Sequence, residues 1–269
     1  STWAAMQGRE KLVVEWDDGQ NAELDSAAIR QFFIDKSQEQ GTPVRTEGDV
    51  QAALDGAEKR ITAHYELPFL AHAPIEPMNC TADVKSDQVE IWAPTQNPQA
   101  VQNMAAEVTG LPLEKVFVHT LLSGGGFGRR LMADYAEEAA RLSQAIAAPV
   151  QVVWTREDDI QHDFYHPLAV QYASVSLDKP DIPRISGGGG SAIPTGAWRS
   201  VTEFTRAYPE QSFIDEMAVA LNRDPLDLRL ELYKDNERAL GVIQLAAEKS
   251  NWGSPLAAGQ GRGMAYFAT

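Results

Sequence analysis

The sequence predicts an α+β fold in which mixed sheets pack against helices, and three observations carry that expectation. Short runs rich in Val, Ile, Thr and aromatic residues recur along the first two thirds of the chain. They are interleaved with runs whose apolar residues return at helical spacing. The last quarter shows helical spacing alone, and 269 residues with 43% hydrophobic content suffice to bury a substantial core.

The elements follow in order. Lys11 to Trp16 reads as a strand, closed by the turn formers Asp17-Asp18-Gly19. Ser26 is placed to cap a helix through Ile29, Phe32 and Phe33, and Glu47-Gly48-Asp49 precedes a short helix over Val50 to Leu54. Arg60 to Leu67 puts Ile61, Ala63 and Tyr65 on one face, as a half-buried strand does. The proline-rich PFLAHAPIEPMNCTADV is expected to form neither a regular helix nor a central strand. Val89 to Trp92 suits a strand, and Ala93-Pro94-Thr95-Gln96-Asn97-Pro98 forces a turn. Val101, Met104 and Val108 then mark a helix stopped at Gly110. Lys115 to Leu121 reads as a strand, and Tyr135, Ala139, Leu142 and Ile146 as the stripe of a helix. Val150 to Trp154 and Leu168 to Leu177 are further strands. Phe213, Ile214, Met217, Ala218 and Leu221 form one helical stripe. Asp224 caps a helix opened by Pro225 and running through Leu228 and Leu232, and Leu240, Ile243, Ala247 and Trp252 give a third helix and its end.

Composition excludes several functions. A net charge of -15 repels nucleic acid. Cys80 is the only cysteine, so the chain forms no internal disulfide and holds no cysteine-ligated iron-sulfur cluster. The five histidines, His64, His72, His119, His162 and His166, lack zinc spacing and read as hydrogen-bonded structural residues. No apolar run approaches the roughly 20 residues that span a bilayer.

Two glycine-rich stretches stand out. Leu122-Ser123-Gly124-Gly125-Gly126-Phe127-Gly128-Arg129-Arg130 lies between a strand and a helix. Its glycines let backbone approach a ligand, its free amides favour an anion, and its two arginines are suited to fork onto phosphate oxygens. It lacks the Gly-Lys-Ser/Thr ending of a nucleotide loop, and a plain glycine-rich turn is the competing reading. The second stretch, residues 186–191 (SGGGGS), has the composition of a designed flexible linker. Six residues span about 20 Å at most, so the linker is expected to replace an excursion that left and returned at one place.

The blocks HAPIEPMNCTADV, EIWAPTQNPQ, SGGGFGRR, PVQVVWTREDDIQHDFYHP, IPTGAWRSV, QSFIDEMA and NWGSPLAAGQGRGMA together resemble the molybdopterin-binding large subunit of the xanthine dehydrogenase and aldehyde oxidase family. The branch they resemble most is the isoquinoline 1-oxidoreductase β-subunit, or membrane-bound aldehyde dehydrogenase, and the likeness covers nearly the whole chain. It implies residues 1–45 as a remnant of a preceding hammerhead-like region, 46–185 as the first part of a molybdopterin-binding domain, and 192–269 as its helical continuation beyond the linker.

The resemblance further implies a molybdopterin dinucleotide, in the cytosine form, within a subunit that hydroxylates aldehydes or N-heterocycles with oxygen from water. It implies an iron-sulfur small subunit as partner, together with the remaining domains of the large subunit. By the same likeness Gln96 hydrogen-bonds an oxygen ligand of molybdenum, Gly124, Gly125, Gly126, Phe127, Gly128 and Arg129 wrap the cofactor, and Arg199 bonds the pterin. Arg130-Leu131 stands where purine-oxidising relatives carry a glutamate, which disfavours a purine. The family's general base, a glutamate near the C-terminus of the full subunit, has no counterpart before Thr269. The chain is therefore expected to be an inactive fragment, and a partner-docking module that binds no metal is the alternative. Export to the periplasm or membrane is the expectation for the parent, with a cytoplasmic location as the alternative.

Overall fold

The computed structural model describes residues 1–39, 41–43, 48–178, 192–201 and 203–268, so the SGGGGS segment lies outside the described residues. In chain order the elements are α1 (Thr2–Arg9), α2 (Ser26–Ser37), α3 (Val50–Asp55), β1 (Arg60–Leu67), β2 (Asn79–Val84), β3 (Val89–Ala93), α4 (Pro98–Thr109), β4 (Val116–Thr120), α5 (Asp134–Ile146), β5 (Val150–Val153), α6 (Arg156–Gln161), β6 (Ala169–Ser176), α7 (Glu203–Leu221), α8 (Pro225–Leu232) and α9 (Glu237–Lys249). They divide into two compact units that the chain enters alternately. The first holds Ser1–Asp25, Phe69–Pro167 and the described part of Ser191–Val201. The second holds the described parts of Ser26–Pro68, Leu168–Gly190 and Thr202–Thr269.

The first unit is built on a four-stranded sheet in the order β4-β3-β2-β5. β3 and β4 run parallel and the other two pairs antiparallel. A parallel neighbour needs a crossover, which α4 supplies. Asn97 caps α4 by accepting from Ala100 N, Pro98 fills the first turn, and Gly110 ends it in the left-handed region at φ 74°. Cys80, Ala82, Val89, Ile91, Ala93 and Val116 line the core with Val101 and Ala105 of α4 and Tyr135, Ala136, Ala139 and Ala140 of α5. The second unit pairs β1 with β6 antiparallel, Ala63 opposite Ala173. Tyr65 and Ala173 join Phe213, Ile214, Met217 and Ala218 of α7, Leu228 of α8 and Ile243 of α9 in its core. Asp224 caps α8 as expected, and Trp252 Nε1 donates to its carboxylate at 3.1 Å.

Four expectations are corrected. Lys11 to Trp16 forms no strand, and Val13 and Trp16 are exposed, because a lone strand has no ladder to satisfy its backbone. NCTADV is a central strand, since the last proline, Pro77, precedes it. On α5 the buried stripe is Tyr135, Ala136, Ala139, Ala140 and Ser143, while Leu142 and Ile146 face solvent. Close packing of sheet and helix selects the small residues. Ser26 is the first residue of α2, one position later than a cap.

Candidate functional site

The glycine loop leaves the C-terminal end of β4 and runs into a single helical turn, Arg129–Leu131, before α5. It is fixed from below by side chains that sequence reading had turned outward. Arg130 is fully buried: Nε donates to Gly125 O at 2.7 Å, and its terminal nitrogens reach Pro94 O, Glu76 O and the Glu76 carboxylate. Glu76 also accepts from Gly124 N at 2.7 Å. Arg129 is fully buried as well. It makes paired bonds of 2.8 and 2.6 Å to Asp134 and lies over the rings of Trp154 and Phe164. Burial works against its charge, but Asp134, then Asp163 and Asp159, outweigh that and raise its pKa above the ordinary value.

The expected role of Arg129 and Arg130 as a fork for a ligand phosphate is therefore corrected. Both guanidiniums are held by internal acceptors, because desolvated cations settle on buried carboxylates and carbonyls. The same acidic layer continues through α6. Asp158 is held well below the usual carboxylate range, chiefly by its bond to Arg9. Asp159 is raised, chiefly by burial.

The loop's own backbone donors are largely unspent. Among the described residues, Gly125 N, Gly126 N and Phe127 N make no hydrogen bond, so three consecutive donors have no acceptor within the protein. Phe127 sits at φ 56°, a costly conformation for a bulky residue, and its ring is half exposed. Gln96, exposed in the turn after β3, lies directly over the loop. Its Oε1 accepts from Gly128 N at 3.1 Å, and its backbone N donates to Arg130 O at 3.0 Å. A Cβ on Gly126 would come within 2.4 Å of that Oε1, so only glycine lets the amide lie there. The Gln96 NH2 group has no partner among the described residues. Arg199 is exposed on the segment after Ala197, whose carbonyl oxygen closes against Gly128.

The structure thus gathers Gln96, the Gly124–Gly128 loop and the Arg199 segment in one unit. Sequence reasoning missed the supports Glu76, Asp134 and Asp163, while His72 is the hydrogen-bonded structural histidine expected. The one signal for Glu76 and Asp163 was their place in HAPIEP and HDFYH, which carry no spacing rule of their own, and Asp134 had none. Among the described residues no group of three His, Cys, Asp or Glu side chains is arranged to hold a metal ion, and no helix is long and apolar enough to cross a membrane. The second unit has a cavity of about 430 Å³ lined by Arg206, Glu210, Tyr233, Tyr266 and Phe267, which contains none of the expected site residues.

The molybdopterin cofactor-binding domain profile matches residues 34–179, more than half of the chain. The chain belongs to this family. It is 24% identical to the isoquinoline 1-oxidoreductase β-subunit of Brevundimonas diminuta over 324 aligned positions, covering 98% of this chain and 41% of that relative. It is also 26% identical to a membrane-bound aldehyde dehydrogenase of Gluconacetobacter polyoxogenes, covering 93% of this chain and 41% of the relative. The fold matches that of quinoline 2-oxidoreductase from Pseudomonas putida 86 with a TM-score of 0.62 at 17% identity, over 76% of this chain and 34% of that one. The chain therefore spans about two fifths of the length of the curated relatives it matches.

For a cofactor of this family the residues present fit. The loop offers neutral backbone donors, close approach without side chains, a half-exposed aromatic ring and an amide NH2, all preorganised by the buried arginines.

Proposed function

We propose that this chain forms one wall of the molybdopterin site of a larger oxidoreductase subunit, which hydroxylates N-heterocycles or aldehydes with oxygen from water. The observation that carries this reading is the row of unbonded amides at Gly125, Gly126 and Phe127 beside the free NH2 of Gln96. When bound, the molybdenum cofactor supplies two-electron redox chemistry, accepting the electron pair released as a substrate carbon gains oxygen. Gln96 donates its NH2 to an oxygen on the cofactor without adding charge, since an amide is a neutral donor. Phe127 gives the pterin side an apolar contact, and Arg199 offers a planar fork of donors.

The remaining parts of the subunit supply the opposite wall and the general base, so the chain alone has no turnover. An iron-sulfur small subunit takes the electrons, the dinucleotide is the cytosine form, and the parent works in the periplasm or at the membrane. The SGGGGS segment stands for an excursion. Support comes from the isoquinoline-type relative, whose alignment of 324 positions is longer than this whole chain.

The test adds cofactor released from a molybdenum hydroxylase and follows tryptophan quenching and retained molybdenum, with isoquinoline and an aldehyde as substrates. Weak binding that Gly126→Ala abolishes, without turnover, is the expected outcome. Equal binding by that variant refutes the wall, and turnover by the chain alone refutes the division of the site.

A further inference from the structure

Beneath the glycine loop a buried pair ties two of the site's segments together. His72 and Asp163 each have side chains only 1% exposed. His72 Nδ1 lies 2.9 and 3.1 Å from the two Asp163 oxygens, and Asp163 also accepts from His72 N and Phe164 N. The other ring nitrogen, Nε2, lies 3.0 Å from Ala197 O. That carbonyl occupies the space a Gly128 side chain would need, 1.6 Å from its ideal Cβ position. The segment around Ala197 is a strap. Tyr165 N donates to Pro194 O and Gly196 N to Tyr165 O, while Trp198 Nε1 donates to Ala71 O at 3.4 Å. Trp198 packs near His72 and edge-on to His166. Arg199 follows at once, after which Ser200 and Val201 both have positive φ.

We propose that His72 is a positioning residue which, bonded through one ring nitrogen to Asp163 and through the other to Ala197 O, clamps the Pro194–Arg199 strap onto the glycine loop and so sets where Arg199 stands. Both nitrogens have an oxygen partner, a carboxylate on one side and a main-chain carbonyl on the other. Asp134, Asp159 and Asp163 face Arg129, Arg156 and His72. Arg129 Nε comes within 3.1 Å of Asp163 but off the hydrogen-bond axis, so it does not replace the imidazole. The clamp itself rests on protein contacts alone, and only its bearing on Arg199 draws on the proposed function.

Imidazole ¹⁵N shifts of the whole chain test the clamp without cofactor. Shifts showing both His72 ring nitrogens hydrogen-bonded are expected, and a ring with one nitrogen free of any hydrogen bond overturns the proposal. The second arm is limited trypsin digestion at Arg199. His72→Asn and Asp163→Asn are expected to speed that cleavage roughly tenfold, the loss of about one well-aligned buried bond, while cleavage elsewhere in the folded chain is unchanged. Cleavage at wild-type rate in both variants overturns the clamp. Should the variants unfold, the ¹⁵N measurement on the unaltered chain still decides. Failure of cofactor binding with an intact clamp would count against the proposed function alone.

Discussion

Gly128→Ala is the substitution whose outcome the structure fixes most tightly. Gly128 has φ 110°, and an added Cβ would lie 1.6 Å from Ala197 O and 3.3 Å from His72 Nε2. A left-handed backbone costs an alanine about 1–2 kcal/mol. The carbonyl belongs to main chain and cannot rotate away alone, so the strap must shift, at about 1–3 kcal/mol for an overpacked contact. Moving Ala197 O also breaks its bond to His72, about 1 kcal/mol more. The sum is roughly 3–6 kcal/mol, a fall in Tm of roughly 6–24 °C for a chain of this size. Thermal unfolding by calorimetry, with hydrogen exchange on β2 to β5 to place the loss in the first unit, reads it directly. A Tm within about 2 °C of the parent chain would refute the seating of the loop on the strap. Gly126→Ala is the internal control, because its new Cβ meets only the end of the flexible Gln96 side chain. It should cost no more than about 1 kcal/mol, the bond from Gly128 N to Gln96.

Three further outcomes follow from burial and charge. Cys80 is 1% exposed and its thiol is pushed up to about 12 by burial, so a thiol reagent at pH 8 should label the chain only after denaturation. Asp158 is held below its ordinary range by Arg9, so the stability it contributes is present above the unfolded carboxylate value, about 3.9, and is lost as the pH falls below it. Arg9→Ala should shrink that acid-dependent step to the part held by the Thr155 bonds, seen as a smaller loss of hydrogen-exchange protection factors in α1 between neutral and acid pH. Leu142→Glu should change stability by less than about 0.5 kcal/mol, whereas Ala139→Leu, at a site with no exposed surface, should cost about 1–3 kcal/mol in urea unfolding.

Periodicity was readable where one face of an element meets a single core. Val101 and the Gly110 stop on α4, and the Phe213 to Ala218 stripe on α7, needed nothing beyond helical spacing. It misled on α5, because the eye weighs Leu142 and Ile146 by hydrophobicity, whereas a helix lying close on a sheet buries alanines. It also misled at Lys11 to Trp16, where strand-like residues lack a neighbour to pair with. The glycine loop was conspicuous, yet the direction of its arginines was not. Cations default to solvent, and the partner that turns Arg130 inward, Glu76, lies 54 residues earlier.

That reversal explains why the loop fits a cofactor better with its arginines inward than outward. An outward pair would hold an anion by charge, at the cost of fixing two long mobile side chains on each binding event. Inward, Arg130 holds Gly125 O and Glu76 holds Gly124 N, so the backbone is set before any ligand arrives. The donors left for the ligand are then neutral amides at Gly125, Gly126 and Phe127, whose strength does not vary with pH. Such donors suit oxygens whose charge changes during redox chemistry, since they follow that change without competing for protons. Removing a support and removing a donor should therefore differ in kind. Glu76→Gln keeps an acceptor for Gly124 N and Arg130 but loses the one for Asn79 Nδ2 and weakens the charge pair with Arg130, and should loosen the loop in hydrogen exchange. Gln96→Ala should leave loop exchange nearly unchanged while weakening cofactor retention. Matching exchange profiles for the two variants would show that support and donor are not separable in this site.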